Sequence, residues 1–440
     1  MGKATFQGGI HMYDGKDLSK DKPTKVLLPK GDMVYPLSQH IGALGKPTVE
    51  IGDRVFAGQR IAEAVGVVSA HVISSVSGTV KAIEARQMGS GAMCDSIVVE
   101  NDGAFTPIEG LGEKREYTKL SKEEIRRYVK DAGIVGMGGT GFPTHVKLSP
   151  KKDGAIDYVI VNGAECEPYL TSDYRMMLEE SEKIVDGLKI ILQLFENAKG
   201  IILIEEDKRD AILKLSELVK GEARIAVRTA KTKYPQGAER QMIDAAAGRK
   251  INSAMLPADA GCVVNNVETV IAVYMAVAES TPLIHRRITV TGGAVTEPQN
   301  FLVRTGTSYA ELIEAAGGFR ETPESLVCGG PMRGTELYNT EIPVTKNSSA
   351  LLALTKAETG KRFAGPCIRC GRCVSVCPSR LVPLKLMKYA EKRDNQGFLG
   401  MDGMECCECG ACSYVCPAGR PLAQLFKQMR RGIINERRKR

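Results

Sequence analysis

Two runs of cysteines near the C-terminal end share one internal spacing and restrict the fold more than any other feature of the chain. Cys367, Cys370, Cys373 and Cys377 form the first, in CIRCGRCVSVCP; Cys406, Cys409, Cys412 and Cys416 form the second, in CCECGACSYVCP. Each reads C-x2-C-x2-C-x3-C-P, the bacterial pattern for a [4Fe–4S] cluster. The tight C-x2-C-x2-C loop brings three thiolates to three corners of one cubane, and the proline-followed fourth cysteine leaves that loop. In paired sites this fourth cysteine usually ligates the other cluster. The expected ligand sets are therefore Cys367, Cys370, Cys373 and Cys416 for cluster one, and Cys377, Cys406, Cys409 and Cys412 for cluster two. Zinc sites use two spaced pairs instead of four closely set cysteines with a trailing proline. Two one-electron centres make this a chain that moves electrons.

The remaining composition is that of an ordinary globular protein. At 440 residues the chain has room for several domains, with 43% hydrophobic and 25% charged residues. The cysteines outside the two sets (Cys94, Cys166, Cys262, Cys328 and Cys407) are scattered and odd in number, which points to reduced thiols in a cytosolic compartment. Cys407 adjoins a ligand, but only Cys406 lies three positions before Cys409. Residues 1–20 lack the apolar core of a signal peptide. The longest apolar candidate, around Val270 to Ala278, is far short of the ~20 residues that span a bilayer. A soluble or peripheral protein is expected.

The net charge of +8 is concentrated at the end of the chain. KQMRRGIINERRKR, from Lys427 to Arg440, holds seven basic residues and one acid. Such a tail can meet anionic lipid, nucleic acid or an acidic partner, or be a solvated helix end. It contains no aromatic residue for base stacking, and the chain has no Trp, so nucleic acid is not an expected partner.

Residues 25–105 read as all-β. VEIGDRVFAGQRIAEAVG followed by SSVSGTVKAIEAR resembles the barrel-sandwich hybrid of biotinyl and lipoyl carriers, but the hairpin stretch GVVSAHVI has no lysine to modify. Residues 121–280 alternate helix and strand, which predicts βαβ crossovers and a parallel sheet. Ser121 and Glu124 form a capping box before the first of these helices. Residues 284–335 hold β-rich segments around the helix SYAELIEAAGG and resemble a soluble-ligand-binding (SLBB) β-grasp domain. Between Cys377 and Cys406 the helix PLKLMKYAEKRD makes a helical ferredoxin module the expected form. Leu422, Leu425, Phe426, Met429 and Ile433 form one face of a last helix, best used against the protein's own core.

GIVGMGGTGFPTHVKL carries a literal G-x-G-x-x-G at Gly136, Gly138 and Gly141, with Gly139 between them. A helix and not a strand precedes it, so a standard dinucleotide fingerprint is rejected. The glycines still allow backbone N–H groups to approach a phosphate or a flat ring closely, and Lys147 adds a positive charge. VNGAECEPYLTSD sets Asn162, Glu165 and Glu167 just after a strand, where ligands bind in open parallel sheets. VVNNVETV puts Asn265 and Asn266 before a helix, as ligand contacts or as a helix cap.

Taken in order, GMGGTGFPTHVKL, NGAECEP, YPQGAERQM and NNVET resemble the flavin- and NADH-binding subunit of respiratory complex I. With GGIHMYDGKD, YPLSQHIGA and the twin cysteine runs, the likeness narrows to the C-subunit of the Rnf complex, a membrane-bound ferredoxin:NAD+ oxidoreductase that pumps Na+ or H+. The resemblance implies FMN contacts at Gly136, Gly138, Gly139, Gly141, Lys147, Asn162, Glu165, Asn265 and Asn266. It further implies that Phe142 stacks on the nicotinamide, that Glu167 lies near NADH and that Glu239 lies near the isoalloxazine. Met137, Ala164 and Ala238 depart from the complex I pattern, where an arginine, an aspartate and a glutamate stand.

The expected fold is α/β and multidomain: a barrel-sandwich hybrid (1–110), a Rossmann-like parallel α/β FMN/NADH domain (113–280), an SLBB β-grasp (284–335), a twin-cluster module (358–426) and a basic tail (427–440). No side-chain acid or base is expected to be catalytic. The expected cofactors are two [4Fe–4S] clusters and FMN, with NAD(H) as substrate. The expected partners are the other Rnf subunits and ferredoxin, met directly or through a partner subunit. The expected location is peripheral, on the cytoplasmic side of the cell membrane. Three rival readings share parts of the pattern: a flavin and iron–sulfur cobalamin reductase, a soluble bifurcating-enzyme subunit, and a passive electron-transfer subunit.

Overall fold

Val159, Ile160 and Val161 are all fully buried in the strand Tyr158–Gly163, as a strand covered on both faces requires. The computed structural model describes residues 4–360 and 363–439. Residues 1–3, 361–362 and 440, which fall in the expected first domain, cluster module and tail, lie outside it. In the middle of the chain four parallel strands run in the order Ile225–Ala230, Lys199–Glu205, Tyr158–Gly163, Cys262–Asn266. Val159 and Val161 point into a core with the helices Ser181–Gln193 and Val267–Ala278, whereas Ile160 points to the opposite side, against the helix Glu239–Ala247. This period-2 division makes the sheet a two-sided wall. The capping box is present, with the Ser121 hydroxyl accepting from the Glu124 N–H and the Glu124 carboxylate from the Ser121 N–H.

The N-terminal β region forms two sheets. One runs Met33–Pro36, Met93–Asn101, Gly78–Gln87, Arg54–Val55; the other Lys46–Pro47, Arg60–Glu63, Val72–Ile73. Met33, Tyr35, Val55, Ile61, Val80 and Ile97 fill the space between them. The β-grasp sheet is wider than residues 284–335. Its six strands run Lys25–Leu27, Gln299–Arg304, His285–Thr291, Ala350–Leu354, Ser325–Cys328, Thr335–Leu337. The all-apolar strand Ala350–Leu354 is fully buried and sits between two strands of the expected stretch, and Lys25–Leu27 adds an edge in parallel to Phe301–Val303. The helix Leu422–Lys439 runs without a break through position 427, where the sequence suggests a boundary. Leu422, Phe426, Met429 and Ile433 pack into the cluster module's own core with Leu386 and Phe398.

Lys346 joins three of these units. Its side chain is 1% exposed and donates to Gly133 O at 2.7 Å and to His71 O, with no carboxylate among its described partners. Burial pushes this ammonium down to about 7. The unfolded chain keeps its proton up to about 10.4, so between those values the unfolded state binds more protons and stability rises with pH. Lys346→Met should flatten the rise in Tm between pH 7 and pH 9 relative to the wild type. Parallel Tm curves for the two proteins would overturn this assignment.

Candidate functional site

The glycine segment closes on itself. Gly136 N–H donates to Phe142 O at 2.8 Å and Thr144 N–H to Ile134 O at 3.0 Å, leaving Gly138, Gly139 and Thr140 exposed at the tip. Met137 turns inward, and its N–H is held by Thr269 Oγ1 at 3.0 Å. Opposite the tip, Asn162 ends its strand by donating to Gly237 O at 2.8 Å and accepting from Ala164 N–H at 3.1 Å.

The chain then turns through Glu165 at φ 47°, in the left-handed region that few non-glycine residues occupy. The turn aims the Glu165 carboxylate at the start of the helix Ser172–Glu179, where it accepts from Asp173 N–H at 2.7 Å and Tyr174 N–H at 3.2 Å. Lys16, buried beneath, donates to Glu165 O at 2.9 Å, Glu167 O at 3.2 Å and Leu170 O. Burial raises the Glu165 carboxyl, with the Lys16 ammonium opposing. Asn266 caps the helix Val267–Ala278 through Glu268 N–H at 2.8 Å and donates to Asp173 Oδ2 at 2.5 Å. Its neighbour Asn265 is buried, with neither carboxamide atom partnered among the described residues.

These elements face one cavity of about 710 Å3, and Gly138, Gly139, Asn162, Glu165, Glu167 and Asn266 line it. Gly136, Gly141, Phe142, Lys147, Asn265 and Glu239 do not. Lys147 and Glu239 pair with each other at 3.3 Å, and Lys147 also donates to Val264 O at 2.8 Å. Glu167 holds the β-grasp loop, accepting from Met332 N–H at 2.8 Å and Arg333 N–H at 3.1 Å. The loop seats so closely that a Cβ at Gly330 would stand 1.9 Å from Glu167 Cγ. Ala238 lines the cavity and Ala164 is buried beside it, so neither supplies a polar group at these two departures.

The cysteine runs fold alike. Arg369 and Glu408 take positive φ at matching positions, as do Gly371 and Gly410, and each run continues into a four-residue helix, Arg372–Ser375 or Ala411–Tyr414. The two helices pack against each other, which carries each fourth cysteine toward the other run. Cys367, Cys370, Cys373 and Cys416 line one small pocket with Leu384 and Met387. Cys377, Cys406 and Cys412 share the apolar core around Leu386 and Phe426, and Cys373 packs against it as well. Burial pushes the bare thiols of Cys406 and Cys412 up to about 12. Cys409 is turned toward Cys407, and its carbonyl accepts from Tyr234 OH at 2.6 Å. Among the described residues no three Cys, His, Asp or Glu side chains converge as ligands of a single metal ion. Thiolates around a cubane stand farther apart, because each binds a different iron.

The linings suit FMN in the larger cavity and a [4Fe–4S] cluster among the four thiols of the smaller pocket. The larger cavity lies within the roughly 300–1,000 Å3 range of ligand pockets. It has a side-chain-free glycine tip on one wall, and the orphaned Asn265 carboxamide lies at the end of the adjoining strand. The smaller pocket offers four thiols in an apolar wall. Cys407, Glu408 and Cys409 line the larger cavity, so the second cysteine run adjoins it. Tyr234, Cys409, Ile10 and Ala411 form an apolar bridge between the two, with Cys166 and Met332 at its margin. Lys16, Asp173, Tyr234 and Arg333 were not singled out from the sequence. Lys16, Asp173 and Tyr234 stand in segments whose motifs drew attention, and Arg333 does not.

Residues 4–104 match the RnfC barrel sandwich hybrid domain, 129–275 the Nuo51 FMN-binding domain, 287–336 the SLBB domain and 366–420 a 4Fe-4S dicluster domain. The chain is 44% identical over 389 residues to the C-subunit of the proton-translocating ferredoxin:NAD(+) oxidoreductase complex of Clostridium ljungdahlii, covering 88% of this chain and 85% of that protein. It is 41% identical over 435 residues to the C-subunit of the Na(+)-translocating ferredoxin:NAD(+) oxidoreductase complex of Acetobacterium woodii, covering 99% and 98%. The C-subunit of the ion-translocating oxidoreductase complex of Rhodobacter capsulatus is 38% identical over 439 residues, covering 99% of this chain and 84% of its own length.

Proposed function

The chain belongs to the C-subunit family of ion-translocating ferredoxin:NAD+ oxidoreductase (Rnf) complexes, and on that footing we propose that it is the subunit where electrons pass between NAD(H) and an iron–sulfur relay. The observation that carries this reading is the single cavity walled by the glycine loop, the β-grasp loop and the second cysteine run. FMN bound there would supply conversion between hydride and single-electron chemistry, with the two [4Fe–4S] clusters as one-electron partners.

The protein's own part is positioning. The Gly138–Gly139 tip offers backbone N–H groups without side-chain obstruction, and Asn266 fixes the facing helix end. Asn265, just behind the lining, keeps an unspent donor and acceptor, the kind of pair that the edge of a flavin ring requires. Lys147 and Glu239 act on that site from behind the lining. Cys367, Cys370, Cys373 and Cys416 would hold one cluster, and Cys377, Cys406, Cys409 and Cys412 the other.

Among the described residues no helix is long and apolar enough to cross a membrane. The protein is assigned to the cytoplasmic face of the membrane complex, held there by its partner subunits, with ferredoxin as the electron source or sink of the whole assembly. Anaerobic purification should yield about eight irons and one FMN per chain, with visible absorbance bleached by NADH. Iron without flavin, and no response to NADH, would favour a passive electron carrier instead.

A further inference from the structure

We propose that Lys427 and Arg431 of the C-terminal helix, with Arg333 of the β-grasp loop, form the binding site for the pyrophosphate of the nicotinamide dinucleotide. The inference rests on the reading of the cavity as an NAD(H) site and goes beyond it, because it assigns part of that site to the cluster module. The helix Leu422–Lys439 has two faces. Leu422, Phe426, Met429 and Ile433 enter the module's core. Ala423, Gln424, Lys427 and Arg431, three or four residues apart, line the cavity. Arg333 reaches the same cavity from the loop that Glu167 holds by its backbone.

Charge decides where a dinucleotide's phosphates can lie. Glu165, Glu167, Asp173 and Glu268 line the cavity, with Glu408 beside the helix, and so many acidic side chains leave few places for a pyrophosphate. One of the cavity's cations, Arg286, is committed to Glu268. On the helix, Arg430 is likewise committed to Glu408. Lys427 and Arg431 have no ion pair among the described residues, and Arg333, whose charge acts on Glu167, lines the same cavity. Cations left unpaired at a cavity wall give the charge-assisted hydrogen bonds that phosphate oxygens accept. The phosphate of FMN is the other phosphate ester in this cavity, and the test separates the two.

The full-length, cluster- and flavin-loaded protein is titrated with ADP-ribose, which carries the pyrophosphate and no nicotinamide, and binding is followed by calorimetry. The Lys427→Gln/Arg431→Gln double variant should keep its iron and FMN and bind ADP-ribose at least about tenfold more weakly. Arg333→Gln should weaken it further. Arg437→Gln, on the same helix but off the cavity wall, should bind like the wild type. The wild type's preference for NADH over reduced nicotinamide mononucleotide should narrow in the double variant. Unchanged ADP-ribose binding in that variant would overturn the assignment. Loss of FMN from it would also overturn the assignment, because the cations would then hold the flavin's phosphate. A wild type that binds neither ADP-ribose nor NADH would instead sink the NAD(H) reading on which the proposal rests.

Discussion

Cys416→Ser should remove the cluster of the first cysteine run and spare that of its own run. Cys416 lines the pocket of Cys367, Cys370 and Cys373, so iron should fall from about eight to about four per chain. The residual signal should belong to the second cluster. Double variants identify it. Adding Cys367→Ser to Cys416→Ser should cost no more iron, because both act on one cubane, whereas adding Cys406→Ser should empty both sites. Cys377→Ser should give the reciprocal result, since the Cys377 thiol stands close enough to Cys406 and Cys412 to act on both. Self-contained runs would reverse the pattern: Cys416→Ser with Cys406→Ser would then cost one cluster only.

Glu268→Ala should destabilise the junction of the α/β and β-grasp units by about 3–5 kcal/mol, the usual cost of orphaning a buried ion. Arg286 is among the largest fully buried side chains, and its ion-pair partner is Glu268. Glu268 also accepts from Arg287 N–H at 2.9 Å, so one side chain satisfies two groups of the strand His285–Thr291. Thermal unfolding and limited proteolysis should both register the loss. Replacing both charges, as Glu268→Met/Arg286→Met, should recover most of it, because no charge is then left buried. Wild-type unfolding of the single variant would mean that water reaches Arg286.

The contrast between local and distant partners explains what could be read from the sequence. The capping box at Ser121 is written within four residues and was legible. The crossed cysteine pairing is an expectation of the spacing rule, and Cys416 does line the pocket of Cys367, Cys370 and Cys373. The helix Ser172–Glu179 was not legible: its N-cap Thr171 makes no side-chain cap, and the capping carboxylate comes from Glu165. Nothing local announces such a cap. Lys16 reaches Glu165 across 149 positions, and the strand Ala350–Leu354 finds its place in the β-grasp sheet by long-range pairing. NNVET carried a real ambiguity, and its two asparagines divide between the alternatives: Asn266 caps a helix and lines the cavity, and Asn265 keeps its carboxamide unspent. Lys147 and Glu239 were both singled out by resemblance, but their mutual pairing depends on a fold that brings separate segments together.

The first stretch of the chain sets the order in which the molecule can be built. Ala4 bonds to both Thr229 and Lys231, Ile10 exchanges two bonds with Tyr234, and Gly9 N–H donates to Val376 O at 2.9 Å, beside Cys377. Lys25–Leu27 pairs with Phe301–Val303. During synthesis this stretch leaves the ribosome before every one of those partners, and the last of them lies inside a cysteine run. This segment therefore docks fully only after its last partner, in the first cysteine run, has been made. Such distant pairing is slow and leaves an edge exposed meanwhile. A chain that has not yet made its first cysteine run leaves the bond from Gly9 to Val376 unmade.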